Sequence, residues 1–103
     1  MRIMHLTEGD SRKVIVKAVG GLTLLLGTKE TVLEVAEQKS LLDLLKMLPE
    51  KLKNKLLIGD DVAPDVLVLV NGVELSCLGS PRGITVLGAD IREVVLIPVI
   101  HGG

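Results

Sequence analysis

The sequence contains no phenylalanine, tyrosine or tryptophan. That removes the stacking platforms on which most single-strand nucleic-acid binders seat their bases. It also leaves Leu, Val and Ile to build any core. There is one cysteine, Cys77. An internal disulfide is therefore excluded, as are the four thiolates that an iron–sulfur ferredoxin needs. No run approaches the ~18 apolar residues of a spanning helix, and the stretch from Met1 to Asp10, with two acids, does not read as a secretory signal. Neither sign of charge dominates: 12 Lys and Arg stand against 13 Asp and Glu, for a formal net charge of −1. A nucleic-acid binder would need a basic face, and the one local cluster, Lys51, Lys53 and Lys55, reads as a solvated surface. Asn and Gln are also scarce, being only Gln38, Asn54 and Asn71. Few thermolabile side chains is a habit of thermophile proteins, so a high melting midpoint is expected. The composition points to a soluble, cytoplasmic protein that engages neither nucleic acid nor membrane.

Catalytic constellations are equally thin. His5 and His101 lie at opposite ends of the chain, and neither has a Cys or acid at metal-ligand spacing, so no metal site is expected. Gly20-Gly21 lacks the Lys-Ser/Thr pair of a phosphate loop. Asp60 and Asp61 read as loop solvation, and Cys77 as a small residue at a strand end, since a reactive thiol needs an electropositive setting. No catalytic residue, cofactor or metal is assigned, and the protein is expected not to be an enzyme.

What is present is patterned. The chain has 103 residues, 48% of them hydrophobic, which suits one compact domain. Residues 1–12 are polar and irregular and read as an N-terminal arm. Lys13 to Val19 is β-branched and predicts a strand. Gly20-Gly21 turns the chain, Leu22 to Leu26 reads as an apolar link, and Gly27 to Lys29 as a second turn. Thr31 to Val35 resumes strand character, antiparallel to the first. Ser40 can cap a helix, with Asp43 completing an acidic capping box. Leu41, Leu44, Leu45 and Leu48 then recur at the spacing of one helical face. Pro49 breaks that helix, and Leu52 and Leu56 mark a further helical turn. Gly59 to Pro64 reads as a loop. Val66 to Val70 is a strand apolar on both faces, Asn71-Gly72 a hairpin turn, and Val73 to Cys77 the returning strand. Gly88 to Asp90 is a turn, Glu93 to Ile97 the last strand, and residues 98–103 a tail.

The order strand, strand, helix, then three short strands favours one helix packed across one mixed sheet, with the first and last strands as neighbours. This predicts an α+β, β-grasp domain over residues 13–97.

A terminal carboxylate following side-chain-free Gly102-Gly103 can thread a narrow channel and be adenylated by a nucleotide-dependent enzyme. The stretch from Val70 resembles the ubiquitin-like sulfur carriers and modifiers: the molybdopterin synthase small subunit, the thiamine-biosynthesis sulfur carrier, the ubiquitin-related modifier and the small archaeal modifiers. The shared landmarks are the apolar strand ending Val-Asn71-Gly72, the turn Leu-Gly88-Ala-Asp90, the strand Val-Val-Leu-Ile97 with Pro98, and the end His101-Gly102-Gly103. The N-terminal half is similar too, from about Val14. Ala18-Val19 replaces an aromatic position of the family, and Ala89 a second glycine.

The resemblance implies that Gly103, with Gly102, is the site of activation or conjugation, and that His101, Ile100, Val99 and Pro98 contact the activating enzyme. The implied partners are a ubiquitin-activating-type enzyme that itself binds the ATP, a sulfur donor or acceptor enzyme, and target-protein lysines. The product would be a thiocarboxylate or an isopeptide-linked conjugate. Two alternatives stand beside this reading: the small subunit of molybdopterin synthase specifically, and a β-grasp interaction module whose Gly-Gly is incidental.

Overall fold

In a computed structural model that describes residues 11–75 and 90–99, the β-branched run near the start forms β1 (Ser11–Ala18). It begins two residues before the expected Lys13, so Ser11 and Arg12, read from the sequence as part of an arm, pair with Ala36 and Val35. The partner strand, β2 (Glu30–Ala36), runs antiparallel to β1 in continuous register from Ser11–Ala36 to Lys17–Glu30.

Between them lies a departure from the sequence reading. The apolar link is a one-turn helix, α1 (Leu22–Leu26), closed by Gly27 at φ 90°. Leu22 and Leu26, four apart, are buried, and Leu24 between them is 85% exposed. The Thr23 hydroxyl donates to the Ala18 carbonyl at 3.0 Å and ties the helix back to β1.

The main helical segment follows the sequence closely. The Ser40 hydroxyl accepts from the Asp43 N–H, and the Asp43 carboxylate accepts from the Ser40 N–H at 2.9 Å, a complete capping box. This satisfies two of the backbone donors that a helix start leaves without intrahelical partners. Helix α2 (Leu41–Lys46) buries Leu41, Leu44 and Leu45. Pro49 has extended ψ and separates α2 from α3 (Glu50–Leu56), which buries Leu52 and Leu56. There are thus three helices among the described residues, with α2 and α3 sharing the role expected of one main helix.

The expected loop after α3 contains a small antiparallel ladder, β3 (Leu57–Ile58) with β4 (Asp61–Val62), turned at Gly59. Then β5 (Val66–Val70) leads through Asn71 at φ 53° and Gly72 at φ 85° into β6 (Val73–Glu74). Two consecutive positive φ values are what a twisted two-residue hairpin turn requires. The returning strand was expected to reach Cys77, which lies outside the described residues; Leu75 already leaves the ladder. The last strand is β7 (Glu93–Pro98).

The five-stranded sheet has the order β2-β1-β7-β5-β6. β7 lies parallel to β1 and antiparallel to β5, so first and last strands are neighbours. The only way to join two parallel neighbours is a crossover, and the α2–α3 segment lies within it. One face of the sheet carries Val14, Val16, Val68, Val70, Val94 and Leu96 into a core completed by the leucines of the helices. The mixed sheet with helices on one face is the β-grasp arrangement.

Candidate functional site

The tail springs from the middle of the sheet, because β7 has β1 on one side and β5 on the other. Alternate residues of a strand point to opposite faces. Val94 and Leu96 are fully buried against the helices, whereas Val95 and Ile97 are half-buried on the opposite face. There Val95 stands opposite Leu69 of β5, and Ile97 opposite Leu67. These four side chains form an apolar strip on the helix-free face. Polar groups border it: Lys17 is the β1 partner of Val95, and its ammonium lies 3.0 Å from the Glu93 carboxylate. The hydrogen bond that the Lys17 ammonium donates to the Glu93 carboxylate, and then that carboxylate's charge, raise the Lys17 pKa, so the ammonium is held charged.

The base of the tail is positioned from both sides. Pro98 ends β7 opposite Val66. Gly20, at φ 60°, lies against its ring: a Cβ there would come within 3.0 Å of Pro98 Cγ. The Val99 N–H then donates to the Asp65 carbonyl at 2.9 Å. Asp65 in turn accepts from Lys55 Nζ at 3.1 Å. Glycine is needed at position 20 both for its backbone angle and for the approach of Pro98.

The start of β7 is held by Asn71, which sequence reasoning read only as a turn residue. Its side-chain oxygen accepts from the N–H groups of Arg92 at 2.7 Å and Glu93 at 3.1 Å. Its side-chain nitrogen donates to the Asp90 carbonyl at 2.6 Å, and its own N–H donates to Glu93 O at 2.9 Å. Asn71 thus turns the β5–β6 hairpin and locks the chain entering β7. One signal was available: Asn tolerates a left-handed backbone as glycine does, but also brings a donor and an acceptor.

Of the residues assigned to the site from the sequence, Pro98 and Val99 are placed at the tail base. Ile100, His101, Gly102 and Gly103 lie outside the described residues, as do His5 and Cys77. Among the described residues no polar or charged side chain is buried, and no group of three His, Cys, Asp or Glu could hold a metal ion. No helix of the described residues is long and apolar enough to cross a membrane.

No protein-family model matches the chain, and no curated protein matches it by sequence. Solved structures do. The HVO 2177 protein of Haloferax volcanii matches with a TM-score of 0.74 at 23% identity, over 91% of this chain and 89% of that one. Urm1 from Trypanosoma brucei matches with 0.69 at 25% identity, over 91% and 98%. The small archaeal modifier protein 1 of Methanosarcina acetivorans matches with 0.64 at 25% identity, over 90% and 98%. The chain has the ubiquitin-like β-grasp fold of these proteins.

Proposed function

We propose that this chain is a ubiquitin-like sulfur carrier or protein modifier whose Gly103 carboxyl is activated by a partner enzyme. One observation carries the reading: a strand at the centre of a β-grasp sheet, held at both ends, delivers Pro98 and Val99 into a tail ending His101-Gly102-Gly103. The small archaeal modifier protein 1 of Methanosarcina acetivorans, which shares the fold, supports the class.

The chemistry is that of a carboxylate used as substrate. A carboxylate oxygen of Gly103 attacks the α-phosphorus of ATP held by the activating enzyme, and pyrophosphate leaves. The resulting acyl adenylate is open at its carbonyl carbon. Hydrosulfide displaces AMP and leaves a thiocarboxylate directly. A persulfide displaces AMP to form an acyl disulfide, whose S–S bond a second thiol then breaks, releasing the thiocarboxylate and a disulfide of the two thiols. Or a lysine amine attacks, AMP leaves and an isopeptide bond forms. Activation of the acyl group is common to both outcomes. This chain provides positioning: side-chain-free Gly102 and Gly103 fit a narrow channel, and Pro98, Val99, Ile100 and His101 contact its walls. The strip of Leu67, Leu69, Val95 and Ile97 supplies the docking face, as exposed apolar patches on soluble proteins commonly do. The protein is then a substrate of enzymes, working in the cytoplasm where activating enzyme and ATP meet.

Incubation with an activating enzyme, ATP and a sulfur donor, followed by intact mass, tests the reading. The expected product carries one sulfur in place of one oxygen at Gly103, or is joined to a lysine through Gly103. A mass unchanged by an activating enzyme that turns over its own carrier would refute it.

A further inference from the structure

The two edges of the sheet are unlike. At one, β6 spans Val73–Glu74; at the other, β2 presents seven residues, Glu30–Ala36. Long edges are normally blunted by proline, a bulge or charged side chains, lysine above all, because their unpaired backbone groups invite another strand; the only charges β2 carries are Glu30 and Glu34. β2 contains no proline or lysine, and its register with β1 is unbroken.

The register also fixes which groups are offered. The Ala18 N–H donates to the Lys29 carbonyl, while the N–H groups of Ile15 and Val19 donate toward β7. Hydrogen-bonding direction alternates along a strand. Thr31, Leu33 and Val35 therefore bond to β1, and the backbone groups of Glu30, Val32 and Glu34 point outward. No backbone bond to those three outward pairs is found among the described residues.

The side chains of the same three residues share the helix-free face, as acid, apolar, acid. Glu30, Val32 and Glu34 are exposed, Val32 at 54%. The strand that complements this pattern is already present on the inner side: β1 sets Lys17 opposite Glu30, Ile15 opposite Val32 and Lys13 opposite Glu34. Lys17 makes its ion pair with Glu93, on the side away from β2, and Glu34 accepts from Ser11 at 3.2 Å.

We propose that the outer edge of β2 docks an extended segment of a partner protein, antiparallel, presenting Lys-x-apolar-x-Lys to Glu30, Val32 and Glu34. Main-chain bonds supply the adhesion and the alternate side chains the selection, as in strand addition generally. A second copy of this chain is the poorer occupant. Two β2 strands paired antiparallel about Val32 would set Glu30 opposite Glu34 twice, and like charges directly opposite destabilise. The surface is independent of the Gly103 chemistry and lies beyond β1 from the docking face of β7.

The probe is a synthetic peptide copying residues 11–19, Ser-Arg-Lys-Val-Ile-Val-Lys-Ala-Val, titrated into the isotopically labelled full chain and followed by NMR. The expected result is shifted and exchange-protected amides at Val32 and Glu34, with Thr31 and Leu33 amides still bonded to β1. The double variant E30K/E34K, checked for an unchanged fold by its remaining amide pattern, should bind that peptide about tenfold more weakly and prefer a peptide with both lysines replaced by glutamate. Three results would overturn the proposal: no shift along β2 at millimolar peptide, equal binding of lysine and glutamate peptides to the native chain, or a concentration-dependent dimer that occupies this edge. The first would leave Glu30 and Glu34 as charges that only keep the edge unpaired.

Discussion

Ser40 and Asp43 satisfy each other's backbone at the start of α2, and the reciprocity makes the pair sensitive to acid. Bonds from Ser40, backbone first and hydroxyl second, lower the Asp43 pKa from its ordinary value of 3.8. A carboxylate depressed on folding adds stability above its unfolded pKa, and that contribution is lost as pH falls through the folded value. Asp43→Ala should lower stability at neutral pH by about 0.3–1 kcal/mol, the usual worth of an exposed acid in the first turn of a helix. Denaturant melts of native and variant should converge once the pH is well below 3.8; a gap that persists in acid would assign the effect to something other than the carboxylate. This pair was legible from spacing, because a capping box is a local contract between residues three apart. Asn71 was legible as a turn and not as a lock. Its partners Asp90, Arg92 and Glu93 are about twenty residues away, and nothing local announces them.

Periodicity decides how much of each element can be read. In α2 the leucines repeat over two turns, so the buried face was visible, and Leu44 and Leu45 are indeed at 0% exposure. Truncating either to Ala should cost on the order of 2–5 kcal/mol. Lys46 is exposed, and its ion pair with Asp60 at 3.3 Å joins two solvated side chains, so Lys46→Ala should fall within about 0.5 kcal/mol of the native chain. Equal midpoints for all three variants would show the register to be wrong. α1 escaped for the opposite reason. Five residues between glycines show a single i, i+4 repeat, Leu22 to Leu26, which is too short to separate a helical turn from an apolar link. The same holds for β3 and β4, whose two-residue strands have no period at all. Their placement is a tertiary effect: the Ala63 N–H donates to Leu56 O at 2.7 Å and closes the ladder onto α3.

At the scale of the whole molecule, β7 has one face in the core and one on the helix-free side of the sheet, and the proposed docking role belongs to the second. Val94→Ser with Leu96→Ser places hydroxyls in a core that holds no buried polar side chain among the described residues, and unfolding is expected. Val95→Ser with Ile97→Ser opens only the helix-free face, so the domain should stay folded and bind an activating enzyme more weakly. Calorimetry with a binding titration separates the outcomes; if the second pair also unfolds, or binds as the native chain does, the docking role of that face is lost. Deleting Gly102 and Gly103 should abolish activation and leave the melting midpoint nearly unchanged, because β7 and the bond from the Val99 N–H to Asp65 stay in place. A large fall in the midpoint would make the tail structural. The sheet order was readable because the element sequence leaves few unknotted solutions. The separation of β7 into two faces was not: both sets of residues are apolar, and only the position of the helices tells them apart.

The adjacency of β1 and β7 also sets the order of events when the protein is made. Residues 15–18 find their parallel neighbours only at residues 93–96, so the middle of the sheet stays open until nearly the whole described chain has been synthesised. The hairpin of β1 and β2 can form early, since its contacts are local, but contacts this distant close late. A ribosome-bound or truncated chain that stops short of Glu93 lacks both the core residues Val94 and Leu96 and the strip formed by Val95 and Ile97. If Gly103 is activated as proposed, completing the domain and readying that end are one event: the strand that finishes the fold is the strand that precedes the C-terminal residues, and a molecule without it has no apolar strip to show.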